Sequence, residues 1–165
     1  MSKLKSTLLL LTTILIFSCG GKEEKKKEGF SYKRTSSTKT EKTTTDKKLA
    51  SNTIDLTNKG VGPIKELKLT DNIDQQMVAH GKEVYDKMCT ACHRADKKFI
   101  GPAPKDILKR RTPEWVMNMI LNPEEMLEKD PLAKDLLKEF NGTPMINQGL
   151  TEKDARAVLE YFRTL

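Results

Sequence analysis

The segment Cys89-Thr90-Ala91-Cys92-His93 brings two thiols and an imidazole within five residues. Over one helical turn the two cysteines share a face, where each sulfur can add to a vinyl group of haem while the adjacent histidine faces the iron. Two other chemistries use the same cysteine spacing. A thioredoxin-like disulfide follows a strand and opens a long helix in an α/β pattern, whereas this motif closes an amphipathic helix with no βαβ pattern around it. A structural zinc site needs a second ligand pair, and no Cys or His follows His93. The spacing therefore points to one covalent haem c, with Cys89 and Cys92 as the thioether residues and His93 as an axial ligand.

Beyond the motif, the chain resembles the class I c-type cytochromes. Residues 74–88 read as a first helix, with Gly81 and Tyr85 four apart ahead of the cysteines; the resemblance implies that the glycine lets a terminal helix cross closely. Residues 150–162 match that terminal helix, with Thr151 as N-cap, Asp154 three later, and Val158, Tyr161 and Phe162 spaced for one buried face. Ile100-Gly101-Pro102 looks like the family's Gly-Pro, which implies that the Pro102 carbonyl accepts a hydrogen bond from His93. The resemblance also implies Met145, in Gly142-Thr143-Pro144-Met145, as the sixth ligand, although Ile146-Asn147-Gln148 stands where the family commonly has a second proline. Trp115 matches the family's aromatic near the haem propionates and serves equally well as the largest core residue.

The remaining methionines read as core or surface: Met77 and Met88 in the first helix, Met117 and Met119 in the apolar helix begun by Pro113, and Met126 in a connecting segment. His80 reads as a solvated residue of the first helix. A further short helix spans residues 132–140, with Pro131 at its start and Asn141-Gly142 closing it. The expected architecture is thus all-α, a cytochrome c fold of four to five helices around one covalently bound haem, preceded by a disordered tether.

Composition bounds the rest. The 165 residues are 36% hydrophobic and 5% aromatic, enough for one modest core. Two lysines fall in residues 1–18, ten basic against five acidic residues in 19–53, and eighteen of each in 54–165. The net charge of +7 therefore lies outside the expected domain, which argues against a nucleic-acid-binding face. Residues 8–17 are apolar apart from two threonines, too short for a bilayer that needs about 20 such residues, and read as a signal peptide. The run ends Ile16-Phe17-Ser18-Cys19, which resembles the bacterial lipobox and implies that Cys19 is lipidated and becomes the first mature residue. Residues 20–51 are rich in Lys, Glu, Ser and Thr and cannot bury enough surface to offset ordering. As a flexible tether this segment spans roughly 30 Å. The expected organisation is residues 1–18 as lipoprotein signal peptide, 19–70 as lipidated Cys19 and tether, and 71–165 as the cytochrome c domain.

These readings describe an extracytoplasmic single-electron carrier, on the periplasmic side of a bacterial envelope and anchored to a membrane by lipid, rather than an enzyme. A peroxidase-like enzyme or a gas sensor would need an open or displaceable sixth position. Residues 94–111 hold seven basic and two acidic residues, expected to orient docking on an acidic redox partner. The stretch around residues 109–126, with Asp130-Pro131 and Thr143-Pro144-Met145, also resembles cytochromes encoded beside nitrous-oxide reductases, which implies donation to that or another terminal reductase.

Overall fold

The computed structural model describes residues 49–165. The expected signal peptide, the lipidation residue Cys19 and tether residues 20–48 lie outside the described residues. Among those described, five α-helices follow in order: α1 (Gln75–Met88), α2 (Pro113–Leu121), α3 (Pro123–Lys129), α4 (Pro131–Glu139) and α5 (Glu152–Phe162). Two 3-10 turns, Ala50–Asn52 and Ile107–Lys109, lie outside them. The all-α expectation holds.

Helix boundaries follow local chemistry. The Asp74 side chain accepts from the Gln76 and Met77 amides and starts α1. The three central helices each start on proline, whose fixed φ suits the first turn and whose missing N–H would be unpaired there anyway. Thr112 and Asp130 cap α2 and α4. Proline also disfavours helical geometry in the residue before it, so residues 113–139 break into three short helices instead of one long one. Met126, expected in a connecting segment, lies in α3, is fully buried, and its Sδ accepts the Val61 N–H at 2.9 Å.

The helices α1 and α5 cross in contact. A Cβ on Gly81 would sit 1.9 Å from the Ala157 carbonyl oxygen, so only glycine permits this approach. The crossing brings the Tyr85 ring within 5.4 Å of Tyr161 and 5.7 Å of Phe162, the latter edge-on. It also buries Glu160, which accepts the Asp74 amide at 3.0 Å, Arg156 at 2.6 Å and Arg163 at 2.7 Å. Burial pushes the Glu160 carboxyl up, but these partners outweigh it and hold the group below the ordinary carboxylate value.

Residues 49–70, expected from the sequence as the end of the tether, pack against the helices. Ile64 is buried in the core, and Asn118, buried inside α2, receives the Ile64 amide at 2.9 Å while donating to the carbonyls of Lys59 and Ile64. Arg163 donates to the Thr70 carbonyl at 2.6 Å. Val61, Leu67 and Leu69 pack beside Ile64 on the core while Ile54 and Leu56 stay exposed, and side-chain amides supply the partners that a segment with one short 3-10 turn lacks.

Because Glu160 is depressed, its contribution is present above the ordinary carboxylate value near 4.5 and is lost as pH falls through the lower native value. Glu160→Gln should destabilise the folded protein at pH 7 by about 3 kcal/mol, near the low end for a broken buried pair because both arginines reach solvent. The difference from wild type should shrink in acid, as measured by denaturant melts at pH 7 and below pH 4.

Candidate functional site

The segment after α1 closes on itself. The Cys89 amide donates to the Tyr85 carbonyl at 2.9 Å, ending the helix, and the amides of Cys92 and His93 both donate to the Cys89 carbonyl, at 3.1 and 2.9 Å. The Gly101 amide returns to the Cys92 carbonyl at 2.8 Å. This turn sets His93 Nδ1 at 2.8 Å from the Pro102 carbonyl oxygen. A carbonyl only accepts, so Nδ1 carries a proton, and the neutral imidazole in this orientation has its lone pair on Nε2. Gly101 lies against the ring, where a Cβ would come within 2.5 Å of His93 Cε1.

Cys89, Cys92, His93, Pro102, Trp115 and Met145 all line one cleft of about 210 Å³. A single water needs roughly 10–15 Å³ by the same measure, so this is a cofactor-sized feature and not a packing fault. The wall is chiefly apolar, with Met119, Ile120, Leu136 and Val158 among its members. Met145 is half-buried and reaches the cleft from the segment between α4 and α5. Burial, then the neighbouring Cys92, pushes the Cys89 thiol up to about 11. The motif sits at the C-terminal end of α1, where the helix dipole opposes an anion, so a thioredoxin-like thiolate is disfavoured. Among the described residues no three His, Cys, Asp or Glu side chains converge as a metal site, which a zinc reading would require.

Polar groups in the wall are few and specific. Tyr85 Oη, Arg110 Nε and Arg111 Nε are buried, have no hydrogen-bond partner among the described residues, and belong to residues lining the cleft. Burial is the largest cause lifting the Tyr85 phenol to about 12, so it is neutral at physiological pH. An unmade buried donor costs about 1–3 kcal/mol. Two guanidinium donors beside an apolar wall, together with two thiols, an imidazole and a thioether, fit a haem with its two carboxylate side chains.

The structure redistributes two expected roles. Trp115 lines the cleft, and its indole N–H donates to Asp130 Oδ1 at 3.2 Å and is engaged within the protein. Asp130 is buried and also accepts from the Ala133 amide and from Asn58 Nδ2. The basic stretch at residues 94–111 divides: Lys97, Lys98, Lys105 and Lys109 are exposed, whereas Arg111 is buried and Arg94 lies over the Phe99 ring at 4.1 Å. The sequence reading missed Arg110 and Arg111 as cleft residues by grouping them with that surface. Their position directly before the apolar helix opened by Thr112-Pro113 was the available signal. His80 pairs with Asp154 at 2.8 Å, outside the cleft lining.

The family model described as Cytochrome c matches residues 78–165. A search of curated proteins gave no match. Among solved structures, a cytochrome c from Rhodothermus marinus is 41% identical, with a TM-score of 0.61, covering 70% of this chain and 92% of that one. An engineered cytochrome c from the same organism is 40% identical at a TM-score of 0.61, covering 70% and 93%. Another engineered form, bound to a carbene intermediate, is 41% identical at a TM-score of 0.58 with the same coverage.

Either Cys89→Ser or Cys92→Ser should leave the haem on a single thioether at most, and the double variant should leave none. Extraction into acidified organic solvent checks this: the wild type should retain its haem and the double variant should release it.

Proposed function

The chain belongs to the cytochrome c family, which holds one covalent c-type haem and carries electrons, and we propose that here the iron is held between His93 and Met145. The observation that carries the reading is the placement of both side chains on one cleft, with the His93 tautomer set by Pro102. The haem supplies the metal that gains and loses a single electron. The protein's part is to hold two ligands in fixed positions, exclude water with an apolar wall, and present one edge to a partner. A thioether ligand favours the ferrous state and raises the potential.

A specific observation favours transfer over the peroxidase-like alternative. An enzyme of that kind needs an acid or base beside the reacting ligand, yet among the described residues the cleft lining includes no Asp or Glu and no histidine besides His93, and burial pushes its Tyr85 phenol up to about 12. A gas sensor would need Met145 to yield readily to small ligands.

We further propose that the carrier works on the periplasmic side of a bacterial envelope, held to a membrane by lipid on Cys19, and serves a terminal reductase such as nitrous-oxide reductase. The support is the sequence before residue 49 and the resemblance noted above. Exposed Met88, Cys92, Ile100 and Ile146 belong to the cleft lining, while Lys97 and Lys98 adjoin Ile100 in the chain. An apolar patch with nearby cations suits a partner with acidic groups around its own entry site.

Two measurements test this. Met145→Ala should convert part of the ferric iron to high spin at neutral pH, lower the potential and admit CO, as read by absorption spectra; unchanged spectra would place the sixth ligand elsewhere. Changing Lys97, Lys98 and Lys105 together to Glu should slow electron transfer with an acidic partner by about tenfold or more at low salt, and the loss should shrink as salt rises.

A further inference from the structure

Arg111 is 1% exposed, and a buried guanidinium needs its donors satisfied and its charge balanced. Among the described residues no carboxylate forms an ion pair with it. Its donors instead meet main-chain oxygens: Nη2 donates to the Ala50 carbonyl at 2.7 Å, and Nη1 donates to the Thr53 carbonyl and to its neighbour Arg110. Two of those three acceptors belong to the stretch expected from sequence to be tether.

That stretch is itself held at several points. The Ser51 amide and hydroxyl both donate to the Glu139 carboxylate, at 2.8 and 2.6 Å. The Asp55 amide donates to the Arg110 carbonyl at 2.9 Å. Asn58 Nδ2 donates to Asp130 Oδ2 at 2.7 Å, and Thr112 Oγ1 donates to the Asn58 carbonyl at 2.6 Å. Ser51 lines the same cleft as Arg111, whose guanidinium lies 5.3 Å over the Trp115 ring and whose Nε has no partner. Ser51, Arg111 and Trp115 thus line the same cleft, and two of the three acceptors that hold Arg111 there come from residues 49–58.

We propose that residues 49–58 act as a strap that positions the Arg111 charge against the haem cleft and so sets the reduction potential. The inference rests on the haem reading above. A fixed cation beside a weakly polar cleft penalises the more positive ferric state, because its field there is screened far less than in water. A loosened strap would strip Arg111 of two acceptors and let the guanidinium hydrate or swing away, weakening that penalty. Ser51 and Glu139 are then positioning residues that act through Arg111.

The test uses the full-length, haem-loaded protein. Ser51→Pro removes both donors that grip Glu139, Arg111→Gln removes the charge, and the double variant combines them. Redox titration should show each single variant shifting the ferric–ferrous equilibrium at least tenfold toward ferric, which is 59 mV for a one-electron couple. The double variant should shift no further than the larger single change, because both remove one shared interaction. Arg111→Gln should also speed hydrogen exchange at the Ser51 and Asp55 amides. Should Ser51→Pro fail to mature, Ser51→Ala with Thr53→Pro loosens the same segment without changing a charge. A strap shown by hydrogen exchange to be open, with the ferric–ferrous equilibrium within twofold of wild type, would overturn the proposal, as would fully additive shifts. A wild type without covalent haem would instead remove the reading beneath it, and that is seen before any variant is made.

Discussion

The 2.8 Å hydrogen bond between His93 Nδ1 and the Pro102 carbonyl is small beside the total of folding, yet the rest of the arrangement is organised to allow it. It leaves Nε2 with a lone pair and fixes the plane of the ring. It requires the loop after Cys92 to return within nine residues, which in turn requires the amide of Gly101 to meet the Cys92 carbonyl and the glycine to lack a side chain. The loop's other end is the last turn of α1, whose place is set by contact with α5 at Gly81. Two glycines and one carbonyl thus fix where an imidazole and two thiols can stand.

Burial then explains why such a small domain is built around a cleft. Short helices begun by Pro113, Pro123 and Pro131 curve around a centre that the protein's own side chains do not fill. A large apolar cofactor in that centre contributes the packing that a domain of this size otherwise lacks.

Much of this was legible in the sequence, for identifiable reasons. The five-residue motif names its chemistry because few functions need that spacing, and the helices around it announce themselves by caps and prolines. The Thr151–Asp154 cap was readable because its effect is local, whereas the role of Gly81, a contact with Ala157 on a distant helix, was carried by the family resemblance. The segment from 49 to 70 was not, since it forms neither long helix nor sheet and its order comes from distant partners such as Asn118, Asp130 and Glu139. Arg111 was misread for a related reason: composition counts a charge but does not show whether it is solvated. For Trp115, no local pattern signals that Asp130 takes its N–H.

The central claim is that one cleft holds a haem iron between the imidazole of His93 and the sulfur of Met145. The most direct measurement is the absorption and magnetic circular dichroism spectrum of the purified ferric wild type from the visible into the near-infrared. The account predicts a low-spin haem c with the weak near-infrared charge-transfer band of methionine sulfur, lost on reduction. A high-spin ferric spectrum at neutral pH, or a low-spin one whose near-infrared band reports two nitrogen ligands, would contradict it.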